Sequence, residues 1–154
     1  MRKDSVFNTE TSFFNSWYKI RKGFEEFYKA NKGDLNINPA EAAFLSQIYY
    51  KNGISQREIA QNLAVSEANI AKTFKKLDNK KLVYKTIDKE NNARRNLYLT
   101  EDGEKAIERI MEIFYEFDKV LFAGLTAEEI EKMETQLKEI GDKSLKLTKS
   151  HKND

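Results

Sequence analysis

Asn69, Lys72, Lys75 and Lys76 fall within the stretch "NIAKTFKK", at spacings that one side of a helix would bring together. Successive helical residues are about 100° apart. If Ile70 and Phe74 face a core, Ala68, Lys72 and Lys75 point away from it, and Asn69 and Lys76 take the flanks. These residue types suit a DNA groove. Asn can bond adenine N6 and N7, Lys can bond guanine O6 and N7, and the Ala68 methyl can meet a thymine methyl. Lys75 and Lys76 are better suited to phosphates. Ser55, Gln56, Ser66 and Thr73 complete the candidate contact set on this helix and the one before it. An ordinary solvated surface is the alternative for any such face, so the surroundings decide.

Those surroundings are basic. Residues 72–95 hold nine cations against three anions, although the whole chain carries a net charge of only +2. The cations end in Arg94 and Arg95, on the polar stretch "DKENNARR" between two runs of strand formers. A guanidinium is weakly hydrated and suits a narrow minor groove, so a basic tip beside a reading helix would extend its footprint on a duplex. A local excess of this kind marks a polyanion partner, here double-stranded DNA.

Other chemistry is thinly supplied. There are no cysteines, which removes disulfides, thiolate nucleophiles and Cys-ligated zinc. The single histidine, His151, sits alone in "KSHKND", and one ligand does not make a metal site. Acidic residues mostly fall three or four positions from Lys or Arg, as on solvated helix faces. The sequence contains no P-loop, dinucleotide fingerprint or nucleophile elbow. An enzyme is therefore not expected, nor a cofactor or metal.

The elements that must position the basic face can be read from capping and periodicity. At 154 residues the chain suits one domain, and 34% charged residues with a single proline favour a soluble, helix-rich protein. No run is apolar enough to span a membrane and the start lacks the apolar stretch of a signal peptide, so a cytoplasmic location is expected. Residues 12–31 place Phe13, Trp17, Ile20, Phe24, Phe27 and Tyr28 at helical spacing. Asn38-Pro39 opens a second helix with Phe44, Leu45 and Ile48 inward. Ser55 and Glu58 form a capping box for a short third helix, and Ser66 caps the fourth after a tight turn, which makes a helix-turn-helix. Strands are predicted at 82–87 and 96–99. Thr100 then caps a long helix with an apolar stripe of Ala106, Ile107, Ile110, Met111, Phe114, Phe117 and Leu121. Thr126 to Glu129 opens a last helix with Ile130, Met133, Leu137 and Ile140 inward.

Residues 54–107, "ISQREIAQNLAVSEANIAKTFKKLDNKKLVYKTIDKENNARRNLYLTEDGEKAI", resemble the winged helix-turn-helix of the MarR (multiple antibiotic resistance regulator) family. The run from Leu82 resembles that family's wing followed by its "LT-x-x-G" junction. The aromatic first helix and "GLTAEEIEKMETQLKEI" are similar to its dimerisation region. The resemblance implies a mainly α fold with a small β-hairpin wing, in a single chain 1–154. A DNA-binding lobe would occupy 38–100, and dimerisation helices 10–32 and 101–150. It further implies a homodimeric repressor on a pseudo-palindromic operator, with a small aromatic effector bound between lobe and dimer region. Phe13, Phe14, Trp17, Phe44 and Tyr49 are the candidates to line that pocket. A winged helix devoted to a protein partner is the alternative.

Two departures stand out. The family's wing commonly carries Asp-x-Arg at its tip, the Asp positioning the Arg. Here Ala93 occupies the usual Arg position with Arg94 beside it, and Asn92 replaces the Asp, which keeps a hydrogen bond but removes the charge pair. Lys80-Lys81 also stand where the family often has Lys-Gly.

Overall fold

The computed structural model describes residues 12–150, with side-chain environments to residue 147. Six helices and one hairpin follow in order: α1 Phe13–Asn31, α2 Pro39–Tyr50, α3 Gln56–Leu63, α4 Glu67–Asn79, β1 Val83–Ile87, β2 Arg95–Leu99, α5 Glu101–Leu121 and α6 Ala127–Ser150. Residues up to Phe117 form one compact unit and those from Asp118 a second.

Side-chain caps start the helices where the sequence placed them. Asn38 and Glu41 exchange hydrogen bonds with each other's backbone amides, as do Ser55 and Glu58, while the hydroxyl of Ser66 accepts from the Asn69 amide. Each cap satisfies amides that would otherwise lack a partner, which contributes about 1 kcal/mol. Thr126 and Glu129 open α6 in the same way.

The core of the first unit is built around α2. Phe44, Leu45 and Ile48 are fully buried there with Ile59 of α3, Leu77 of α4, Val83 and Leu97 of the hairpin, and Ile107 and Ile110 of α5. Ile113 joins them, a position the predicted stripe missed. The hairpin is antiparallel, with Val83 opposite Leu99 and Tyr84 opposite Tyr98. A third short segment extends it: the Gly53 amide donates to Leu97 O (3.0 Å) and the Leu97 amide to Ile54 O (2.9 Å). The wing is thereby bonded to the chain just ahead of α3.

Two backbone positions explain the junctions. Lys81 has φ +59°, so it adopts the left-handed conformation that the family's glycine would take there, at a cost of about 1–2 kcal/mol. Gly103, in the first turn of α5, has no room for a side chain. A Cβ there would lie 2.0 Å from the carbonyl oxygen of Leu82. That oxygen already accepts from the Thr100 amide, so it is not free to retreat.

Some positions expected to be inward are not covered within their own unit. Phe13, Trp17 and Ile20 are 46%, 47% and 49% exposed, and α6 buries none of its described residues, Leu137 and Ile140 included. Periodicity finds a helix's apolar side but not whether its own chain supplies the cover.

Lys80, at the C-terminus of α4, is the main polar tie between the second and fourth helices. Its ammonium donates to both carboxylate oxygens of Glu41 (3.0 and 2.9 Å) and to Asn36 O (2.6 Å), and the Glu41 side chain is only 5% exposed. Lys80→Ala should therefore cost about 3–5 kcal/mol in chemical denaturation, because it strands a buried carboxylate. Gly103→Ala should cost about 1–3 kcal/mol in the same assay through the clash with Leu82. A wild-type midpoint for either variant would show that its contact does not matter to folding.

Candidate nucleic-acid interface

The fourth helix presents its polar side as its sequence spacing requires. Ile70, Phe74 and Leu77 are buried, whereas Ala68, Asn69, Lys72, Lys75 and Lys76 are exposed together. Thr73 is half-buried, and its hydroxyl donates back to Asn69 O (3.0 Å). Ser66 is exposed while Ser55 and Gln56 are half-buried at the start of α3. Ala64, with φ +54°, makes the left-handed turn that lets α4 follow α3 so closely.

The wing tip is organised by Asp88. Its Oδ1 accepts from the amides of Glu90 (2.9 Å) and Asn91 (3.0 Å), and its Oδ2 from the Asn96 amide group (3.1 Å). These bonds hold its carboxyl below the usual range. The tip arginines have different attachments. Arg94 donates from Nε to Asn96 Oδ1 (3.0 Å) and from Nη2 to Glu58 Oε2 (3.3 Å), with Asp88 Oδ2 at 3.9 Å. Arg95 donates to the backbone carbonyls of Asn92 and Arg94.

This corrects the expectation for Asn92. Asn92 does not stand in for a carboxylate under Arg94; it offers only its carbonyl, and to Arg95. The charge pair is kept, through Glu58 from another element and Asp88 from the far side of the loop. Glu58 also accepts from the Lys51 ammonium (2.6 Å) and from both the hydroxyl and amide of Ser55 (2.6 and 2.9 Å). The Lys51 and Ser55 hydrogen bonds bring its carboxyl down to about 2. The capping box revealed Glu58 as a cap, but no local signal joins it to a residue 36 positions later.

An open groove of about 430 Å³ lies between the start of α3 and the wing tip, with Arg57, Arg94 and Arg95 on its walls beside Ser55 and Gln56. Arg57 was not among the sequence candidates. Glu58 and Glu67 also line the groove, so its field is mixed in sign.

The aromatic residues proposed for an effector are not brought together. Phe44 has no exposed surface and belongs to the core, which removes it from the set. A side chain with no exposed surface, packed in the core cluster, fills space rather than lining a pocket. Phe13, Phe14 and Trp17 are exposed on α1, and Tyr49 lines a separate cleft with Tyr84 and Tyr98. His151 lies outside the described residues. Among the described residues no cluster of acidic or histidine side chains could hold a metal ion, and no helix is long and apolar enough to cross a membrane.

A helix-turn-helix joined to a two-stranded wing narrows the family, and residues 37–95 match the family model described as MarR family. That stretch, from α2 to the wing tip, is similar to the MarR family. The HTH-type transcriptional regulator YybA of Bacillus subtilis (strain 168) is 29% identical over 98 residues, 64% of this chain. This chain spans 65% of that relative's length. The HTH-type transcriptional regulator BilQ of Clostridium symbiosum (strain WAL-14163) is 28% identical over 122 residues, 79% of this chain and 85% of BilQ. Among solved structures, a Staphylococcus aureus MepR–DNA complex superposes with a TM-score of 0.75 at 24% identity, over 87% of this chain and 99% of MepR. At that identity the likeness is one of fold. Both curated relatives are named as transcriptional regulators, and the family match runs from α2 to the wing tip.

The Glu58 network has a pH signature. A carboxyl lowered from 4.5 to about 2 stabilises the fold above its unfolded value, and that contribution is lost as pH falls from about 4.5 through about 2. Glu58→Gln should lower the thermal midpoint at neutral pH, with the gap to wild type closing across that acid range. It should also speed amide exchange at residues 88–96. A gap independent of pH would show that the carboxylate charge is not what holds the wing.

Proposed function

We propose that this chain is a MarR-family regulator and works as a homodimeric repressor on a pseudo-palindromic DNA operator, with α4 as the reading helix and the hairpin as an accessory contact. The observation that carries this reading is the exposed face of Ala68, Asn69, Lys72, Lys75 and Lys76, beside a wing bearing Arg94 and Arg95. Asn69 and Lys72 are assigned to base edges, and Lys75 and Lys76 to phosphates, with Ser55, Gln56, Ser66 and Thr73 at the margins. The MepR–DNA complex supports the use of this fold on duplex DNA.

Dimerisation is supported by the uncovered apolar residues of α1 and α6, which a second copy would bury. In this reading residues 38–100 are the DNA-binding lobe, and 10–32 with 101–150 the dimerisation helices. A small aromatic effector releases the operator, with Phe13, Phe14, Trp17 and Tyr49 as its remaining candidate contacts.

Selection of bound duplexes from a random pool tests the reading directly. It should return a two-fold symmetric site, and sedimentation should show a dimer at micromolar concentration. Lys72→Ala or Asn69→Ala should cost about 1–3 kcal/mol and relax preference at one position per half-site. Lys76→Ala should weaken all sequences alike. Arg95→Ala should flatten the log–log salt dependence by roughly 0.9 for each phosphate it leaves unneutralised. Equal losses on operator and random DNA for all of these variants would refute α4 as the reader.

A further inference from the structure

We infer that the cleft between the end of α2, the outer face of the hairpin base and the start of α5 binds a small organic cation, of the tertiary or quaternary ammonium class with an apolar substituent. The inference rests on the ligand-responsive part of the reading above and names the ligand's chemistry. The cleft has a volume of about 330 Å³, at the lower end for small-molecule sites. Its walls are Tyr49, Tyr84 and Tyr98, with Asn52 at one side and Glu104 and Glu108 at another. Tyr84 and Tyr98 stack with ring centroids 5.3 Å apart at 20°. An aromatic face carries negative potential and attracts a cation, most strongly when the cation is poorly hydrated.

The carboxylates point to the same ligand. Glu104 and Glu108 lie four residues apart on α5, and neither carboxylate has an ion-pair or hydrogen-bond partner among the described residues. On the same helix Glu101 is paired with Lys105 at 2.7 Å and Glu112 with Arg109 at 2.8 Å. Like charges at this spacing destabilise a helix, and a cation seated between them relieves the repulsion. No described Lys or Arg lines the cleft. A phosphate or a carboxylate ligand would meet two anions there, which excludes DNA and anionic phenols from this site. Two carboxylates and three tyrosines also make a poor site for a metal ion, whose ligands must converge.

Occupancy would have a route to the wing. Tyr84 and Tyr98 are cross-strand partners in the hairpin whose tip holds Arg94 and Arg95. Glu104 follows directly on Gly103, which packs against Leu82 at the start of the hairpin. A ligand joining these walls would fix the hairpin base against α5, and any effect on DNA affinity must be matched by an equal effect of DNA on ligand affinity.

The test is titration calorimetry on the full chain without DNA, with benzyltrimethylammonium as the probe and benzyl alcohol and benzoate as its neutral and anionic counterparts. Saturable binding of the ammonium alone is expected. The double variant Glu104→Gln, Glu108→Gln should weaken it by about tenfold or more, and Tyr84→Leu should weaken it too. Both changes lie on exposed side chains, and thermal melts check that the fold is retained. No saturable binding, binding unchanged in the carboxylate variant, or equal binding of benzyl alcohol would overturn the inference. Because DNA is absent from the experiment, its failure leaves the operator reading intact. Failure of the probe-free chain to select any duplex, with probe binding retained, would instead count against that reading.

Discussion

The carboxylate of Glu58 is the point at which the start of α3 and the wing, the two sides of the candidate interface, meet. It closes the capping box that starts α3, pairs with Lys51 at the end of α2 and reaches Arg94 at the wing tip. A hairpin two strands wide has little core of its own, and an isolated one is marginal in water. Its orientation therefore depends on what it is tied to. Here the ties are the backbone pairing of Leu97 with Gly53 and Ile54 at its base, and the Glu58–Arg94 contact near its tip.

A second carboxylate plays the corresponding part at the C-terminal end of α4. Glu41 caps α2 and receives Lys80 from the end of α4, so both helix-opening acids also hold a distant cation. The two differ in environment. Glu41 is buried, where an unpaired charge is costly, while Glu58 remains partly exposed and its pair with Arg94 contributes less to stability than to geometry. The fourth helix is thus held firmly at its C-terminal end, and the wing is held by a contact that a phosphate could replace.

The same contacts qualify the basic charge of the central segment. Lys80 and Arg94 belong to the local excess between residues 72 and 95, yet both already face carboxylates. Lys72, Lys75 and Lys76 on α4 have no such ion pair among the described residues, so they supply the field a polyanion would meet. Among the described residues Arg95 is bound to the carbonyls of its own loop, which leaves its charge uncompensated there. Counting cations along the chain overstates the electrostatic footprint, because it does not separate those already paired.

What the sequence determined by itself was local. Caps at Asn38, Ser55 and Ser66, the spacing of Ile70, Phe74 and Leu77, and the two strand runs are set by bonds within four residues or by side-chain period, and all are legible in one dimension. The outward face of α4 follows from the same period. Only the tertiary structure decided which cations are already paired, that Glu58 rather than Asn92 faces Arg94, that Phe44 is core, and that Tyr49, Tyr84 and Tyr98 share a cleft with Glu104 and Glu108. Those facts join residues tens of positions apart, and a carboxylate's partner depends on where packing brings the chain, which no local periodicity encodes.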